Sequence, residues 1–475
     1  MSSRPLPGED LRTGLQGRAM DKEILRLAIP AILQYLLHTL QFLVDTRMVS
    51  DALGGGDESL ASLNLVSPLC WSLTTIFTVT AIGAGAVVAR RSGEGQQLLA
   101  SQGMFSSIVL ALGLGSMVSL LCIAGRDIGL SWLGSQLGVE DSESRSLILS
   151  ESSGYLTWFL LLFPLRAIAV TLESTTRGAG ESLLPVMGGV VSNLVNILGN
   201  AIFLYGLWGF PKMGIEGVGL ATGLAPLVEV VLILGVLFYR RGQRLSLRTP
   251  GALSYDRGQA RQIIKLSIPA LGAAVLFHSG FVVYQFAIFQ LDAMSMAAHR
   301  AAIAIQSLAF LPAHGFQAAA ASVSGRLLGC GQKKAALRSA WRSSLLAQIC
   351  ITPVIFLLFF FPEDLVGFFE LRNETGQLAA MCLMIGACEV PFLMLTETLT
   401  GSLRGAGANI PVMWITALGS WGFRVPFAWW LAYGGLGVPA MGLQGVWIAT
   451  VLDWVVRSGL CVWIVLRRRW LDIEV

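Results

Sequence analysis

Long apolar runs recur from one end of the chain to the other, and they constrain the fold more than any other feature. Each approaches or exceeds the length of about 20 residues that a helix needs to cross the hydrocarbon core of a bilayer. The runs lie near 22–50, 59–89, 100–125, 150–173, 182–206, 214–239, 262–290, 294–325, 343–361, 376–401, 409–433 and 441–466. Only 13% of the residues are charged, against about 25% in soluble domains. The sequence therefore predicts an all-α polytopic membrane protein with twelve transmembrane helices.

Basic residues alternate between the breaks that separate these runs. The breaks expected on the same side as the N-terminus hold 24 Lys and Arg residues, and the other breaks hold four. Because Lys and Arg accumulate in cytoplasmic loops, both termini are predicted to be cytoplasmic and the span count to be even. The polar N-terminal segment lacks the apolar core of a cleavable signal peptide, so the first span is expected to direct insertion.

The two halves of the chain repeat each other. TLESTTRGAG at 171–180 matches TLTGSLRGAG at 398–407 at six of ten positions, and GIEGVGLAT at 214–222 matches GLQGVWIAT at 442–450 at five of nine. Each half would hold six spans, so the repeats are parallel and related by an axis along the membrane normal. The prediction is two pseudo-symmetric six-helix lobes with a substrate cleft between them. Their expected bounds are 1–239 for the N-terminal lobe, 240–261 for a basic cytoplasmic linker and 262–475 for the C-terminal lobe.

Several functional classes find no support in the motifs. The seven cysteines form no CxxC pair, the four histidines form no HExxH motif, and no GxxxxGK[ST] occurs. These absences argue against a metalloprotease and against a pump driven by ATP bound to this chain. The basic run at 240–265 is interpreted as a charged cytoplasmic linker rather than a nucleic-acid site. We therefore expect neither an enzyme nor a bound cofactor.

Asp45 is the most unusual residue of the first run. A charge at the centre of a spanning helix costs about 2.5–3.5 kcal/mol on insertion scales, so such a residue is expected to have a partner or a task. One hypothesis is that Asp45 takes up and releases a cation. The alternative is a structural carboxylate near the outer helix end that pairs with a neighbour such as Arg47 or stays hydrated.

A combination of motifs carries a family resemblance over nearly the whole chain. The motifs are IPA followed by VDT in the first span, ARRSGEGQ and SGRLLGCGQ, two RGAG loops, NILGN followed by YGLWGFPKMGIEGVGLAT, AAHR, FRVP and DWVVR. Together they resemble the bacterial multidrug and toxic compound extrusion (MATE) transporters, including the DNA-damage-inducible branch. The resemblance implies the MATE fold and alternating-access export of organic, often cationic, compounds in exchange for H+, with Na+ as the second choice. The alternative is a lipid-linked oligosaccharide flippase of the same superfamily.

The resemblance also implies a cation-coupling site in the N-terminal lobe. Family members use an acid on the first helix, two Asn or Asp positions on the fifth and a Thr on the sixth. In this sequence the matching residues are Asp45, Asn196, Asn200 and Thr222. Asn196 and Asn200 are one helical turn apart and share a face. With Asp45 they would offer oxygen ligands to Na+, whereas a proton would need Asp45 alone. Many relatives carry Asp where this chain has Asn200, so the site has one charge fewer here.

The C-terminal lobe carries a second group of polar residues within its apolar runs. The candidates for substrate binding or a second coupling site are Glu389, Glu397, His278, Gln285 and Tyr284. Glu389 and Glu397 are two turns apart and are expected to face the same way. The seventh run contains no acid, although several branches of the family use one there. Asp453 and Arg457, four residues apart in the last run, are predicted to form an internal ion pair.

The expected partners and location follow from this interpretation. We expect amphipathic or cationic small molecules as substrates and the lipid bilayer as surroundings, with no nucleic acid and no metal other than the Na+ alternative. The chain is expected to be a monomer in the bacterial inner membrane.

Overall fold

The computed structural model describes residues 17–52, 57–136, 141–239, 245–367, 373–435 and 437–474, and these are almost entirely helical. The first half contributes six long helices, which are α1 (Arg18–Ala52), α2 (Asp57–Gly93), α3 (Gln97–Gln136), α4 (Ser142–Gly178), α5 (Leu183–Tyr205) and α6 (Gly214–Tyr239). The second half contributes α7 (Arg257–Phe289), α8 (Ala293–Gly329), α9 (Lys333–Phe360), the short α10 (Pro362–Gly367), α11 (Glu374–Gly405), α12 (Asn409–Ala417), α13 (Val425–Tyr433) and α14 (Gly442–Leu466).

Ten of the described helices are long and apolar enough to cross a membrane, namely α1–α7, α9, α11 and α14. The eighth predicted span is the 37-residue helix α8. The eleventh is α12 and α13, joined by the π-helical segment Leu418–Arg424. The prediction of an all-α protein with twelve transmembrane helices is confirmed. The eleventh span, however, is not a uniform α-helix.

Aspartates cap the N-terminal ends of two helices. The Asp141 carboxylate accepts the backbone N–H groups of Glu143 and Ser144, so α4 begins well before its apolar run. Asp292 caps α8 in the same way through the N–H of Ser295. Such caps satisfy amides that have no partner within the helix.

The two RGAG loops make tight turns after α4 and α11. Gly180 and Gly407 adopt φ values of 90° and 84°, a left-handed backbone conformation that favours glycine. The repeated motif therefore ends equivalent helices of the two halves with the same turn.

The chain divides into two compact units. The first comprises the described residues up to Ile32, Ala89–Gly95 and those from Lys265 onward, and the second comprises Leu33–Val88 and Gln96–Ile264 as far as they are described. Within the second unit α4 packs on both α3 and α6. Within the first unit α11, the repeat mate of α4, packs on α9 and α14, the mates of α3 and α6. Equivalent helices therefore meet in each unit, which confirms the pseudo-symmetry predicted from the repeats.

Glycines allow helices to cross closely at several points. A Cβ atom added to Gly219 on α6 would lie 2.5 Å from the carbonyl oxygen of Tyr155 on α4. One added to Gly401 on α11 would lie 2.9 Å from the Cα of Gln317 on α8. Helices in lipid associate largely through such close backbone packing, because the surrounding acyl chains are as apolar as the helix surfaces.

The segment between the halves follows the start of α3 in the second unit. Gln102 Nε2 donates to the Gly251 carbonyl at 3.0 Å, and the N–H of Asp256 donates to Ser106 Oγ at 2.9 Å. Residues 240–244 of the predicted linker lie outside the described residues, as do residues 1–16 of the N-terminus.

Candidate functional site

The C-terminal part of α1 carries the first cluster of polar side chains. Asp45 is 7% exposed, and its Oδ1 accepts a hydrogen bond of 2.6 Å from Asn200 Nδ2 on α5. Asn200 is fully buried and its Oδ1 meets no donor among the described residues. An ionisable group on α1 is thus bonded to a neutral amide rather than to a cation.

The cluster continues from α5 to α6 and α4. Asn196 lies one turn before Asn200, is fully buried and donates through Nδ2 to Thr222 Oγ1 at 3.3 Å. The hydroxyl of Tyr155 on α4 is within hydrogen-bonding reach of Thr222. The four residues Asp45, Asn196, Asn200 and Thr222 therefore come together, and Tyr155 joins them. Sequence reasoning missed Tyr155, because an aromatic residue inside an apolar run gives no signal of its own.

The alternative interpretation of Asp45 was a structural carboxylate that pairs with a neighbour such as Arg47. Arg47 instead pairs with Asp51 on the same helix, with Nε 3.0 Å from Oδ2, and both side chains are at least half exposed. Asp45 and Arg47 are only two residues apart and so point to different sides of α1.

Glu389 is the centre of a second cluster, in the unit that contains the C-terminal half. Its Oε1 accepts from Gln306 Nε2 on α8 at 2.8 Å, and its Oε2 accepts from Thr450 Oγ1 on α14 at 2.6 Å. Thr450 is the repeat mate of Thr222. In both units a buried acid therefore lies in a group of amide and hydroxyl side chains that includes the equivalent Thr on the last helix of the half. Thr450 bonds its acid directly, whereas Thr222 is bonded by Asn196.

Glu397 lies two turns after Glu389 on α11 and also faces α8, because it accepts a hydrogen bond from Gln317 of that helix. Tyr284 of α7 is buried, with its ring 6.3 Å from that of His299 and 5.8 Å from the guanidinium of Arg424. His278 and Gln285 are half-buried on the same helix. Glu389 and Glu397 instead accept hydrogen bonds from α8 and α14.

A buried ionic group links α14 to the π-helical segment. Arg457 Nε lies 2.5 Å from Asp453 Oδ1, which confirms the predicted ion pair. Arg424 Nε lies 2.8 Å from the other carboxylate oxygen, without the angle of a hydrogen bond, so it acts as a charge pair. Arg457 also donates to Ser420 Oγ at 2.7 Å. The FRVP arginine was not predicted to join this pair, because it is distant from Asp453 in sequence.

A third polar group lies in the second unit on α1, α4 and α6. Glu229 is fully buried and Glu173 is 4% exposed, and His38 and Arg177 are close to Glu173. Sequence reasoning did not select these residues. The signal was present in Glu229, an acid in the middle of an apolar run.

The described chain is thus a multi-pass membrane protein of two like halves, each with buried acids inside a helical bundle, which is the architecture of a membrane transporter. A sequence model of the MatE family matches residues 30–202 and 269–430. The chain belongs to the MatE family, which is a family of transporters and not of enzymes.

Individual relatives cover nearly the whole chain. It is 26% identical over 455 residues to a probable multidrug resistance protein NorM of Thermotoga maritima, which covers 94% of this chain and 93% of that protein. It is 28% identical to the multidrug resistance protein PmpM of Pseudomonas aeruginosa, over 95% and 92% of the two chains. A crystal structure of a MATE protein in complex with MaD3S superposes with a TM-score of 0.83 at 22% identity, over 99% and 100% of the chains. An outward-facing multidrug resistance MATE transporter gives the same TM-score at 20% identity, with the same coverage. These structures show that the fold is shared.

Proposed function

We propose that the protein is a secondary antiporter that exports organic, often cationic, compounds in exchange for H+ by alternating access, with Asp45 as the coupling carboxylate. One observation supports this above all others. Asp45 is buried on a membrane-spanning helix, and its bonded partner is the neutral amide of Asn200. A carboxylate without a compensating cation is costly to keep ionised in that setting, so it has reason to take up a positive charge and release it.

The geometry favours H+ over Na+ as that charge. Asn200 presents its Nδ2 to Asp45, so in this arrangement the amide acts as a hydrogen-bond donor to the carboxylate. Hard cations such as Na+ prefer a shell of several oxygen atoms. At this site Asp45 would be the one charged ligand of a Na+ ion. A Na+ site built from Asp45, Asn196 and Asn200 is the alternative that the experiment below distinguishes.

The remaining predicted residues have a proposed role in substrate binding or as a second coupling site. Glu389 and Glu397 supply negative charge, and Tyr284 supplies an aromatic face, which together suit an amphipathic organic cation. His278 and Gln285 lie on the helix that carries Tyr284. The relatives named as multidrug resistance proteins support this class of substrate.

Location and organisation are proposed on the same basis. The lopsided distribution of Lys and Arg supports cytoplasmic termini, and the bacterial relatives support the inner membrane. We propose a monomer, with lobes at 1–239 and 262–475 joined by the linker at 240–261, and membership of the DNA-damage-inducible branch remains a prediction.

The experiment is efflux of ethidium from cells that express the protein, with the proton and sodium gradients collapsed separately. Wild-type efflux should stop when the proton gradient is lost, and Asp45→Asn should reduce it to the level of cells without the protein. The matched control is Asp51→Asn on the same helix, because Asp51 is half exposed and pairs with Arg47. This control should retain efflux.

Other outcomes would redirect the assignment. Loss of efflux only with the sodium gradient would favour the Na+ site. Efflux that is insensitive to Asp45→Asn, but lost in Glu389→Gln or Glu397→Gln, would place coupling in the C-terminal half. The flippase alternative calls for free basic side chains that bind a pyrophosphate lipid, whereas the buried Arg424 and Arg457 are both paired with Asp453.

A further inference from the structure

The group on α1, α4 and α6 of the second unit has features that packing alone does not explain. Glu173 comes from α4, Glu229 from α6, and His38 from α1. Glu229 is fully buried and Glu173 nearly so. Burying two acids at this depth in a helical bundle is energetically costly, so they are expected to have a function.

The two carboxyl groups face each other without a donor between them. They lie within hydrogen-bonding reach of one another. Neither oxygen of Glu229 meets a donor among the described residues, and the same is true of Glu173 Oε1. A Cβ atom added to Gly188 of α5 would lie 3.0 Å from Glu229 Cγ, so α5 closes the site on that side. Two carboxylates in such contact are costly to ionise together, so the resting pair shares one proton.

The charges around the pair make this proton exchangeable. Arg177 Nη1 lies 3.6 Å from Glu173 Oε2, and Arg166 of the same helix acts electrostatically on both acids. Arg177 therefore favours the ionised form of Glu173, which leaves the proton to Glu229. The two arginines also stabilise the pair after the proton has left. His38 Nε2 lies 3.9 Å from Glu173 Oε1, and its side chain is 26% exposed, so His38 joins the buried pair to the surface of the unit.

The group of His38, Glu173 and Glu229 shares helices α1 and α6 with the Asp45 cluster. His38 precedes Asp45 by seven residues on α1, and Glu229 follows Thr222 by seven residues on α6. At 1.5 Å per residue, both offsets place the group about 10 Å from the Asp45 cluster, toward the N-terminal end of α1. Asn193, on the face of α5 that carries Asn196 and Asn200, donates to the carbonyl of Leu37, the residue before His38, at 2.8 Å.

We propose that Glu173, Glu229 and His38 form a second protonation site, which passes the proton exchanged at Asp45 to and from the N-terminal side of α1. In one direction the proton moves from the Glu229 carboxyl to the Glu173 carboxylate and on to His38 Nε2, and the pair is then reloaded from the Asp45 side. The proposal rests on the H+ exchange proposed above. It adds a site that transfers protons without binding the transported compound.

Reconstituted protein separates these roles. Ethidium transport into liposomes is measured in two modes, net transport driven by a pH gradient and exchange of labelled for unlabelled substrate without a gradient. Exchange requires the loaded protein to reorient but requires no net proton movement. Glu229→Gln keeps the size of the side chain and removes the proton, so gradient-driven transport should fall by about tenfold or more while exchange stays within about twofold. Glu173→Gln should behave in the same way.

Glu216→Gln is the matched control. Glu216 is on α6 like Glu229, but it is exposed and accepts from Trp158 Nε1 at 2.8 Å, away from the group. This variant should retain both modes of transport. If Glu229→Gln also retains gradient-driven transport while Asp45→Asn loses it, the second site is wrong and the antiport proposal stands. If the wild type shows no gradient-driven transport at all, the antiport proposal itself fails.

A measurement that needs no transport covers the case in which Glu229→Gln folds poorly. Infrared difference spectra between acidic and alkaline samples of the Asp45→Asn protein should still show the carbonyl band of a protonated buried carboxylic acid. The band should be reduced in Asp45→Asn with Glu173→Gln. Absence of the band from the Asp45→Asn protein would overturn the proposal.

Discussion

Replacing Asp453 by Asn should destabilise the unit that contains the C-terminal half, because it leaves two arginines without their counter-ion. Asp453 is fully buried, and Arg424 and Arg457 are 6% and 4% exposed. The guanidinium groups approach the two carboxylate oxygens at 2.8 Å and 2.5 Å. The change to Asn keeps the shape of the side chain and removes its charge.

The magnitude follows from the geometry. At 2.8 Å and an effective dielectric constant of about 20, a single pair of unit charges is worth about 6 kcal/mol. The cost of desolvating the ions offsets much of this in the folded protein, so the intact group contributes little net stability. Removing the one anion leaves two buried cations that repel each other, and such losses typically cost about 3–5 kcal/mol. At about 2 °C per kcal/mol for a large unit, the melting temperature should fall by about 6–10 °C.

The assay is thermal unfolding of the purified protein in one detergent, followed by tryptophan fluorescence. The matched control is Asp472→Asn, which removes an acid of the same kind from an ion pair with Lys333 in which both side chains are more than half exposed. Exposed pairs are worth about 0–1 kcal/mol, so the control should melt within about 2 °C of the wild type.

A second variant tests the cause. Adding Arg424→Gln to Asp453→Asn removes one of the two uncompensated cations and should restore part of the lost stability. A melting temperature for Asp453→Asn as close to the wild type as that of Asp472→Asn would refute the reasoning. So would a double variant less stable than Asp453→Asn alone.

Three further predictions concern packing and helix ends. Gly219→Ala should cost about 1–3 kcal/mol of stability because its Cβ would overlap Tyr155 on α4, whereas Gly235→Ala on the same helix meets nothing within 4 Å and should be neutral in the same melting assay. Gly419→Ala should destabilise by a similar amount, about 1–3 kcal/mol, since its Cβ would overlap Asp453 and Arg457. Gly422→Ala in the same π-helical segment is the control, because its Cβ would meet nothing within 4 Å. Equal melting temperatures for the two variants would contradict the crossing geometry. Asp292→Ala should lower the melting temperature and Asp292→Ser should restore most of it, because Ser also caps helices. Hydrogen bonds from the backbone N–H and side chain of Ser295 lower the pKa of the Asp292 carboxyl. The stabilisation by this cap is therefore present above the ordinary Asp pKa of about 3.9 and is lost as the pH falls through the lowered value. A wild type and an Asp292→Ala protein that lose stability in parallel on acidification would refute this.

Much of the fold could be predicted because hydrophobicity and internal repeats are visible in the order of residues along the chain. The lengths of the apolar runs required about twelve spans, and the RGAG repeats paired α4 with α11. Neither inference needs knowledge of which helices touch. The break in the eleventh span at Leu418–Arg424 could not be predicted, because a π-helical turn depends on what its side chains meet on a neighbouring helix.

The candidate site was predictable only in part, and the difference lies in how its residues are connected. Asn196 and Asn200 share a face by helical spacing, and Asp45 is conspicuous as an acid in an apolar run. The contact between Asp45 and Asn200 joins residues 155 positions apart, so it is a property of helix packing. Tyr155 is close to Thr222 for the same reason, and nothing in its local sequence distinguishes it from a core aromatic residue.

The sequence by itself determined that this chain crosses a membrane many times, that its halves are related, and that a few acids lie where lipid would otherwise exclude them. The tertiary structure decided which partners those acids have. Asp45 meets an amide, Asp453 meets two arginines, and Glu229 meets another carboxyl group. The physical reason is that helical periodicity fixes which way a side chain points around its own axis, whereas its partner depends on how helices distant in sequence pack together.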